Sequence, residues 1–179
     1  MELLQRPLAI TDIETTGLDA QTHEIIEIGL IVVNQRTLRV LDKFESRVSP
    51  IYIETAIPKA LEINGYNEKD WENTPTLKEV MKTYAKKTES AIFLAHNITH
   101  DWSFIQEAFK KTEVENLMDY HRIDLLTLAW SKVSKLPNLT KLRLSDMCKY
   151  FGIPTEPEPH RAINGAQKEL EVLKKLLKT

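Results

Sequence analysis

The fold is decided by the stretch from Leu8 to Leu18, which reads LAITDIETTGL. Its apolar start predicts a buried strand, and side chains on a strand alternate between the two faces. Asp12 and Glu14 are therefore expected on the same face, where the strand ends. Two neighbouring carboxylates repel each other and lose hydration, so a hard divalent cation such as Mg²⁺ would stabilise them. The motif leaves two interpretations open, a metal site or a strand that runs into an acidic turn.

The segments around this stretch predict a mixed α/β sheet. Strands are predicted over 8–14, 24–33, 38–48, 91–95 and 122–124. The first three follow one another through short connections, which indicates an antiparallel meander, whereas the last two each lead into a helix, as parallel strands do. Helices are predicted over 58–63, 76–87, 101–111, 142–151 and 161–177, and from residue 125. In such sheets ligands collect at the carboxyl ends of strands, where Asp12 and Glu14 are expected.

Composition excludes several classes of protein. With 179 residues, 42% of them hydrophobic, the chain can form one globular domain over residues 1–179. The net charge of −2 weakens any claim of tight, non-specific duplex binding, although an enzyme could still hold a chain end through metal ions. Cys148 is the single cysteine, which rules out an internal disulfide, and we expect it to be a small core residue. Without a membrane-length apolar run or a signal peptide, we expect a cytoplasmic protein with no membrane contact.

Two later segments carry further candidate site residues. The segment AHNITHD over 95–101 follows a predicted buried strand and opens a helix, so Asp101 lies near a helix N-terminus. Helix capping is the alternative interpretation of Asp101. The segment PHRAINGA over 159–166 places His160 after a Pro-rich loop. A solvent-exposed histidine is the ordinary interpretation, but with a pKa of about 6.5 it could also accept a proton from a metal-bound water.

Taken in order, these motifs resemble those of the DEDDh family of 3′–5′ exonucleases, which includes the proofreading epsilon subunit of bacterial replicative polymerase. The matching motifs are Asp12-x-Glu14 with Thr-Thr-Gly-Leu, EIIEIG over 24–29, His96-Asn97 with Asp101, and His160-Arg161-Ala162. The segment over 57–66 also resembles the family, with Asn64 where the family usually has histidine. The resemblance covers nearly the whole chain. It implies a ribonuclease H-like fold, in which a mixed five-stranded sheet of three antiparallel and then two parallel strands is flanked by helices.

The resemblance also implies roles for the candidate residues. Two divalent cations, Mg²⁺ or Mn²⁺, would lie between the carboxylates. Asp12 would bridge both ions, Glu14 would hold the ion that carries the attacking water, and Asp101 would support the second ion. His160 would act as the general base. The implied product is a 5′-mononucleotide released from the 3′ end of single-stranded DNA, with RNA left open as a substrate.

Contacts to the substrate follow from the same resemblance. Leu18 and Phe104 are candidates to stack on the terminal bases, because such contacts tolerate any sequence, and core packing is the alternative for both. Backbone amides near Thr15 and Asn64 are expected to contact the terminal nucleotide. His96 completes the expected substrate contacts.

One position departs from the family. The last motif of the family has an aspartate five residues after the histidine, and this chain has Gly165 there. The change removes an expected cation ligand, and glycine inside a helix costs about 1 kcal/mol relative to alanine, so no local gain is evident. Asn164 offers only a neutral oxygen, and Glu169 lies one helical turn away, about 5.4 Å, so neither is expected to be a good replacement.

Two functions therefore remain open from the sequence. The first is an active exonuclease, with impaired activity as one outcome of Gly165. The second is a catalytically silent relative that binds a nucleic-acid 3′ end or a protein. Because the chain ends at Thr179, directly after the last predicted helix, we expect a stand-alone nuclease rather than an obligate polymerase subunit, with a DNA polymerase as a candidate partner.

Overall fold

The central feature of the fold is a five-stranded mixed sheet. The computed structural model describes residues 2–155 and 157–179, so Glu156 of the predicted Pro-rich loop lies outside the described residues. The strands are β1 (Leu8–Thr15), β2 (Ile25–Val33), β3 (Val40–Arg47), β4 (Ile92–Ala95) and β5 (Arg122–Asp124). Their order is β3-β2-β1-β4-β5, with β1, β2 and β3 antiparallel and β4 and β5 parallel to β1. The predicted sheet is confirmed.

Helices flank the sheet, at the predicted places except for the short helix α2, which was not predicted. They are α1 (Pro58–Asn64), α2 (Glu68–Trp71), α3 (Leu77–Lys87), α4 (Thr99–Thr112), α5 (Leu125–Ser131), α6 (Leu144–Phe151) and α7 (Ala162–Leu176). Local signals set their ends: Thr76 and Glu79 form a capping box that starts α3, and Gly65, with φ of 63°, ends α1. No helix in the part of the chain that the structure describes is long and apolar enough to cross a membrane.

The third strand is shorter than the sequence predicts. It begins at Val40 rather than Leu38, because Leu38 has a φ of 53° in the preceding turn and its N–H donates to the carbonyl of Asn34 at 2.8 Å. Val40 is 36% exposed, so the expected apolar face is only partly buried. This strand lies at the edge of the sheet, where one side has no partner strand.

The hydrophobic core lies on both faces of the sheet. One face, with Ile10, Ile31 and Leu94, is covered by α5, α6 and α7. The other, with Ile28 and Phe93, is covered by α3 and α4. The buried thiol of Cys148 belongs to the first layer, as predicted.

A close approach between α7 and β2 positions the functional end of the sheet. A Cβ atom on Gly29 would come within 3.0 Å of the backbone of Ala162 and Ile163, so only glycine allows the helix to start this close to the strand. Gly29 pairs with Asp12 across the β1–β2 ladder. The first turns of α7 therefore lie directly over the carboxyl end of β1.

Candidate active site

The carboxyl end of β1 opens into a cavity of about 400 Å³. Asp12 and Glu14 both line it, on the same face of the strand, as the alternation of strand side chains predicts. Both are half-buried. The other polar residues and the glycine that line this cavity, which we call the β1 cavity, are His96, Ser145, Thr155, His160, Gly165, Lys168 and Glu169.

Asp101 lies on the far side of Asp12. It lines a neighbouring cavity of about 460 Å³ that shares Asp12 and His96 with the β1 cavity. Asp101 is 4% exposed, stands in the first turn of α4, and accepts hydrogen bonds from its own N–H and from that of Ile13. Burial raises the pKa of Asp101 to about 7. Its carboxyl group is thus fixed against β1 and close to losing its charge.

Glu169 is the most deeply buried acidic residue of the cavity, at 1% exposure. Its Oε1 accepts a hydrogen bond from the N–H of His96 at 2.7 Å, and its Oε2 has no hydrogen-bond partner among the described residues. Burial raises the pKa of Glu169 well above its ordinary value, and the charge of Asp101 raises it further. That Glu169 is a poor replacement for the missing aspartate stays a prediction, although its side chain lines the same cavity as Asp12. A helical side chain leans toward the helix N-terminus, which for Glu169 is the direction of Gly165.

Gly165 has a local role that the sequence did not reveal. A Cβ atom on this residue would come within 3.0 Å of the carboxylate of Asp12. The absence of a side chain at position 165 therefore gives Asp12 its room. This contact is a local reason for glycine at position 165 that the sequence did not reveal.

His160 is half-buried at the rim of the β1 cavity. Its backbone N–H donates to the carbonyl of Ile63 at 3.1 Å, which attaches the segment before α7 to helix α1. The next residue strengthens this attachment, because Arg161 Nη1 donates to the carbonyl of Asn64 at 2.8 Å. These two contacts hold the backbone of His160 beside helix α1.

Glu27, from the EIIEIG motif, fixes the start of α7. Its Oε1 accepts a hydrogen bond from the N–H of Ala162 at 2.9 Å, and its Oε2 lies 3.6 Å from Nη1 of Arg161. Burial raises the pKa of Glu27, while the Ala162 N–H and the charge of Arg161 act in the opposite direction. The motif therefore positions the helix rather than lining the β1 cavity.

The expected substrate contacts fall into different environments. Leu18 is 79% exposed and stays a candidate to stack on a base. Phe104 is 2% exposed and packs in the core, so the structure supports its alternative interpretation as a core residue and corrects the stacking prediction. Asn64 is 1% exposed, and its amide nitrogen donates to the carbonyl of Thr15 at 3.2 Å. His96 lines both cavities, and burial lowers its pKa, so its ring is neutral near pH 7.

Two residues near the site were not predicted. Asp124 Oδ1 accepts hydrogen bonds from the N–H groups of Asn97 and Ile98, and the same carboxylate caps helix α5. Its position directly before a predicted helix is the signal that could have found it. Lys168 lines the β1 cavity, and its ammonium group lies 3.8 Å from the carboxylate of Glu171.

Comparison with known proteins identifies the family. The exonuclease family model (RNase T) matches residues 9–173. The PolC-type DNA polymerase III of Caldanaerobacter subterraneus subsp. tengcongensis is 31% identical over 177 residues, and that of Bacillus subtilis is 30% identical over 177 residues. These alignments cover 97% and 98% of this chain but 12% of each polymerase, so the chain spans about one eighth of the length of these relatives.

Solved structures show the same fold. Escherichia coli exonuclease I in complex with a dA16 oligonucleotide superposes with a TM-score of 0.83 at 17% identity, over 97% of this chain and 41% of that one. The nuclease domain of 3′hExo, a DEDDh family member bound to rAMP, superposes with a TM-score of 0.76 at 18% identity, over 99% of this chain and 94% of that one. The ribonuclease H-like fold is confirmed. The chain belongs to the exonuclease family, and its resemblance to the DEDDh exonucleases is confirmed.

Proposed function

We propose that this chain hydrolyses the last phosphodiester bond at the 3′ end of a single strand and releases 5′-mononucleotides, using two divalent cations, Mg²⁺ or Mn²⁺. The observation that carries the proposal is the β1 cavity, which is lined by the carboxylates of Asp12 and Glu14 and the imidazole of His160. The cavity lies at the carboxyl end of the central strand β1, where ligands collect in α/β sheets.

The residues present fit a hard divalent cation. Asp12, Glu14 and Asp101 would hold the cations, because carboxylate oxygens are the ligands that Mg²⁺ and Mn²⁺ prefer. The buried Oε2 of Glu169, which no hydrogen bond satisfies within the described residues, also favours a positive ligand. Over residues 2–155 and 157–179, no three His, Cys, Asp or Glu side chains are close enough to form a metal centre. Without a cation, the carboxylates of Asp12, Glu14 and Asp101 repel one another. Rotation about their side-chain bonds would bring them together on a shared cation.

The chain's own residues would then have different roles in the reaction. When bound, the cations lower the pKa of water and stabilise the charge that develops on the phosphate oxygens. The imidazole of His160 would accept the proton of the attacking water. Leu18 would contact the terminal base through its exposed side chain.

Relatives favour single-stranded DNA as the substrate. The curated relatives are DNA polymerases, and exonuclease I was solved with a dA16 oligonucleotide. Binding of rAMP by 3′hExo keeps RNA as the second candidate. The PolC-type relatives support a polymerase as partner, whereas the single domain and the cytoplasmic location stay predictions.

A catalytically silent relative is the second candidate function. Gly165 favours it, because the side chain at that position supplies no carboxylate to the cavity. Such a protein would bind a 3′ end or a partner protein without cleaving it.

A cleavage time course separates the two functions. The native chain, Asp12→Asn and Asp42→Asn would be compared on 5′-labelled DNA and RNA single strands with Mg²⁺ or Mn²⁺. Asp42 is the matched control, because it lies on edge strand β3 and pairs with Lys87. We expect shortening from the 3′ end by the native chain and by Asp42→Asn, and its loss with EDTA. Asp12→Asn should be slower by about 100-fold or more, since a bound cation contributes several kcal/mol.

Two results would contradict the proposal. Asp12→Asn that cleaves as fast as the native chain would exclude the β1 cavity as the site of reaction. A native chain that binds the strand without shortening it would support the silent alternative.

A further inference from the structure

Glu169 is a buried acidic residue whose environment calls for a positive ligand. Only one of its two carboxyl oxygens is engaged, by the N–H of His96, and Oε2 is buried without a hydrogen-bond partner among the described residues. Burying an unsatisfied polar atom costs free energy, and burying a charged one costs more. In native proteins such an atom marks a bound water or ion, local strain or a catalytic role.

The groups that face Glu169 do not neutralise it. The charges of Asp101 and Asp124 both act on its carboxyl group, and both are negative. Lys168 also lines the cavity, but its ammonium group is 3.8 Å from Glu171. Within the residues that the structure describes, no Lys or Arg forms an ion pair with Glu169. No positively charged side chain of the described residues therefore pairs with Glu169.

Helix α7 brings the carboxyl group of Glu169 to the β1 cavity, to which Gly165 contributes no side chain. The carboxylate of Asp12 occupies the space next to Gly165 that a side chain would need. Glu169 comes from the next turn, and its longer side chain leans toward Gly165 and Asp12 in the same cavity. A carboxylate is thus present although the expected aspartate is not.

We propose that Glu169 is a ligand of a divalent cation in the β1 cavity and that it replaces the carboxylate that Gly165 lacks. The inference rests on the proposed function, because it assigns one more ligand to the same site. A purely structural Glu169 would instead serve only to hold the N–H of His96.

Titration with Mn²⁺ distinguishes these two roles. Glu169→Gln keeps an oxygen that can accept the His96 hydrogen bond and removes the charge. Glu171→Gln is the matched control, because it makes the same chemical change on the same helix at a half-buried side chain that pairs with Lys168. Isothermal titration calorimetry on the full chain would measure Mn²⁺ affinity, with Asp12→Asn as a second ligand variant.

We expect Glu169→Gln to weaken Mn²⁺ binding by about 10- to 100-fold or more, since even groups that only support ligands have effects of this size. Glu171→Gln should bind as the native chain does. The rise in unfolding temperature caused by Mn²⁺ should be smaller in Glu169→Gln, because weaker binding stabilises less. If Glu169→Gln fails to show a cooperative unfolding transition, Glu169→Asp replaces it, and the same loss of Mn²⁺ affinity is expected because its carboxylate is one methylene shorter.

The outcomes separate this inference from the proposed function. Native affinity in Glu169→Gln together with weak binding by Asp12→Asn would overturn the role of Glu169 and leave the cation site intact. A native chain that binds no Mn²⁺ at millimolar concentration would overturn both. If Glu169→Gln and Asp12→Asn lose Mn²⁺ affinity and Glu171→Gln does not, the result would support both the role of Glu169 and the proposed function.

Discussion

At the scale of single residues, Gly165 is interpreted differently in the sequence and in the structure. From the sequence it is a missing carboxylate. In the structure it provides the space that Asp12 occupies, and Glu169 enters the same cavity one turn later. The interpretation of Gly165 therefore depends on two other residues. Asp12 lies far from it in the sequence, and Glu169 lies one helical turn away.

Gly165→Ala should reduce Mn²⁺ affinity and cleavage by about tenfold or more, because the added methyl group displaces the Asp12 carboxylate and a displaced ligand loses affinity. Alanine is the better helix former by about 1 kcal/mol, so stability should not fall in parallel. Urea unfolding and the cleavage time course would measure the two effects, with Asn164→Ala as the control. Native cleavage by Gly165→Ala would mean that Asp12 can rotate away without cost. The same crowding predicts that Gly165→Asp does not simply restore the family site.

Residue-scale prediction from the sequence works where the geometry is local. The alternation of side chains along β1 is enough to place Asp12 and Glu14 on one face. The positions of Glu169 and Phe104 are different, because they depend on which face of a helix meets the sheet. That face is set by tertiary contacts such as the approach of α7 to Gly29, and no local pattern encodes it.

At the scale of elements, Asp124 connects three parts of the site. It ends β5, caps α5, and accepts hydrogen bonds from the backbone of the turn that leads into α4. Asp101 stands in the first turn of α4. The orientation of the Asp101 carboxyl group therefore depends on Asp124, although Asp124 lines neither of the two cavities.

Asp124→Ala should lower the free energy of unfolding by about 1–3 kcal/mol, because several backbone N–H groups lose their acceptor. Cleavage should fall as well, since the start of α4 is loosened. Urea unfolding and cleavage rates would be compared with Asn67→Ala, which removes the cap of the short helix α2. If Asp124→Ala lost stability but kept full activity, the link from Asp124 to Asp101 would be refuted.

Element ends were predictable where a cap marks them. Thr76 and Gly65 are examples, because their side chain or backbone conformation acts on the adjacent turn. Helix α2 was missed because four residues are too few to show helical periodicity. Edge strand β3 was predicted to be longer than it is, because apolar residues such as Val40 suggested a buried face although Val40 is partly exposed.

At the scale of the whole molecule, Asp119 connects the N-terminal segment before β1 to the segment before β5, at the amino ends of these parallel strands. Its carboxylate lies 2.9 Å from Nη1 of Arg6 and accepts a hydrogen bond from the N–H of His121. Burial tends to raise the pKa of Asp119, but the hydrogen bonds from His121 and the charge of Arg6 outweigh this effect and hold the pKa below its ordinary value of 3.8.

A depressed pKa stabilises the fold at pH values above the unfolded-state pKa, and the gain is lost as the pH falls through the folded-state value. We expect Asp119→Asn to be less stable than the native chain by about 1–3 kcal/mol near pH 7, because buried donors lose a charged acceptor. The difference should shrink below pH 3.8. Urea unfolding across this range would measure it, with exposed Glu115→Gln as the control. A difference that stays constant with pH would exclude the ionised carboxylate as its source.

The burial of β2 has a consequence for how the molecule opens. All nine of its residues are buried, and ladders with β1 and β3 enclose it on both sides. Its amide hydrogens should therefore exchange with heavy water only when the whole domain unfolds. Asp12 pairs with Gly29 of this strand, so this residue of the cavity is attached to the part of the chain that we expect to exchange most slowly.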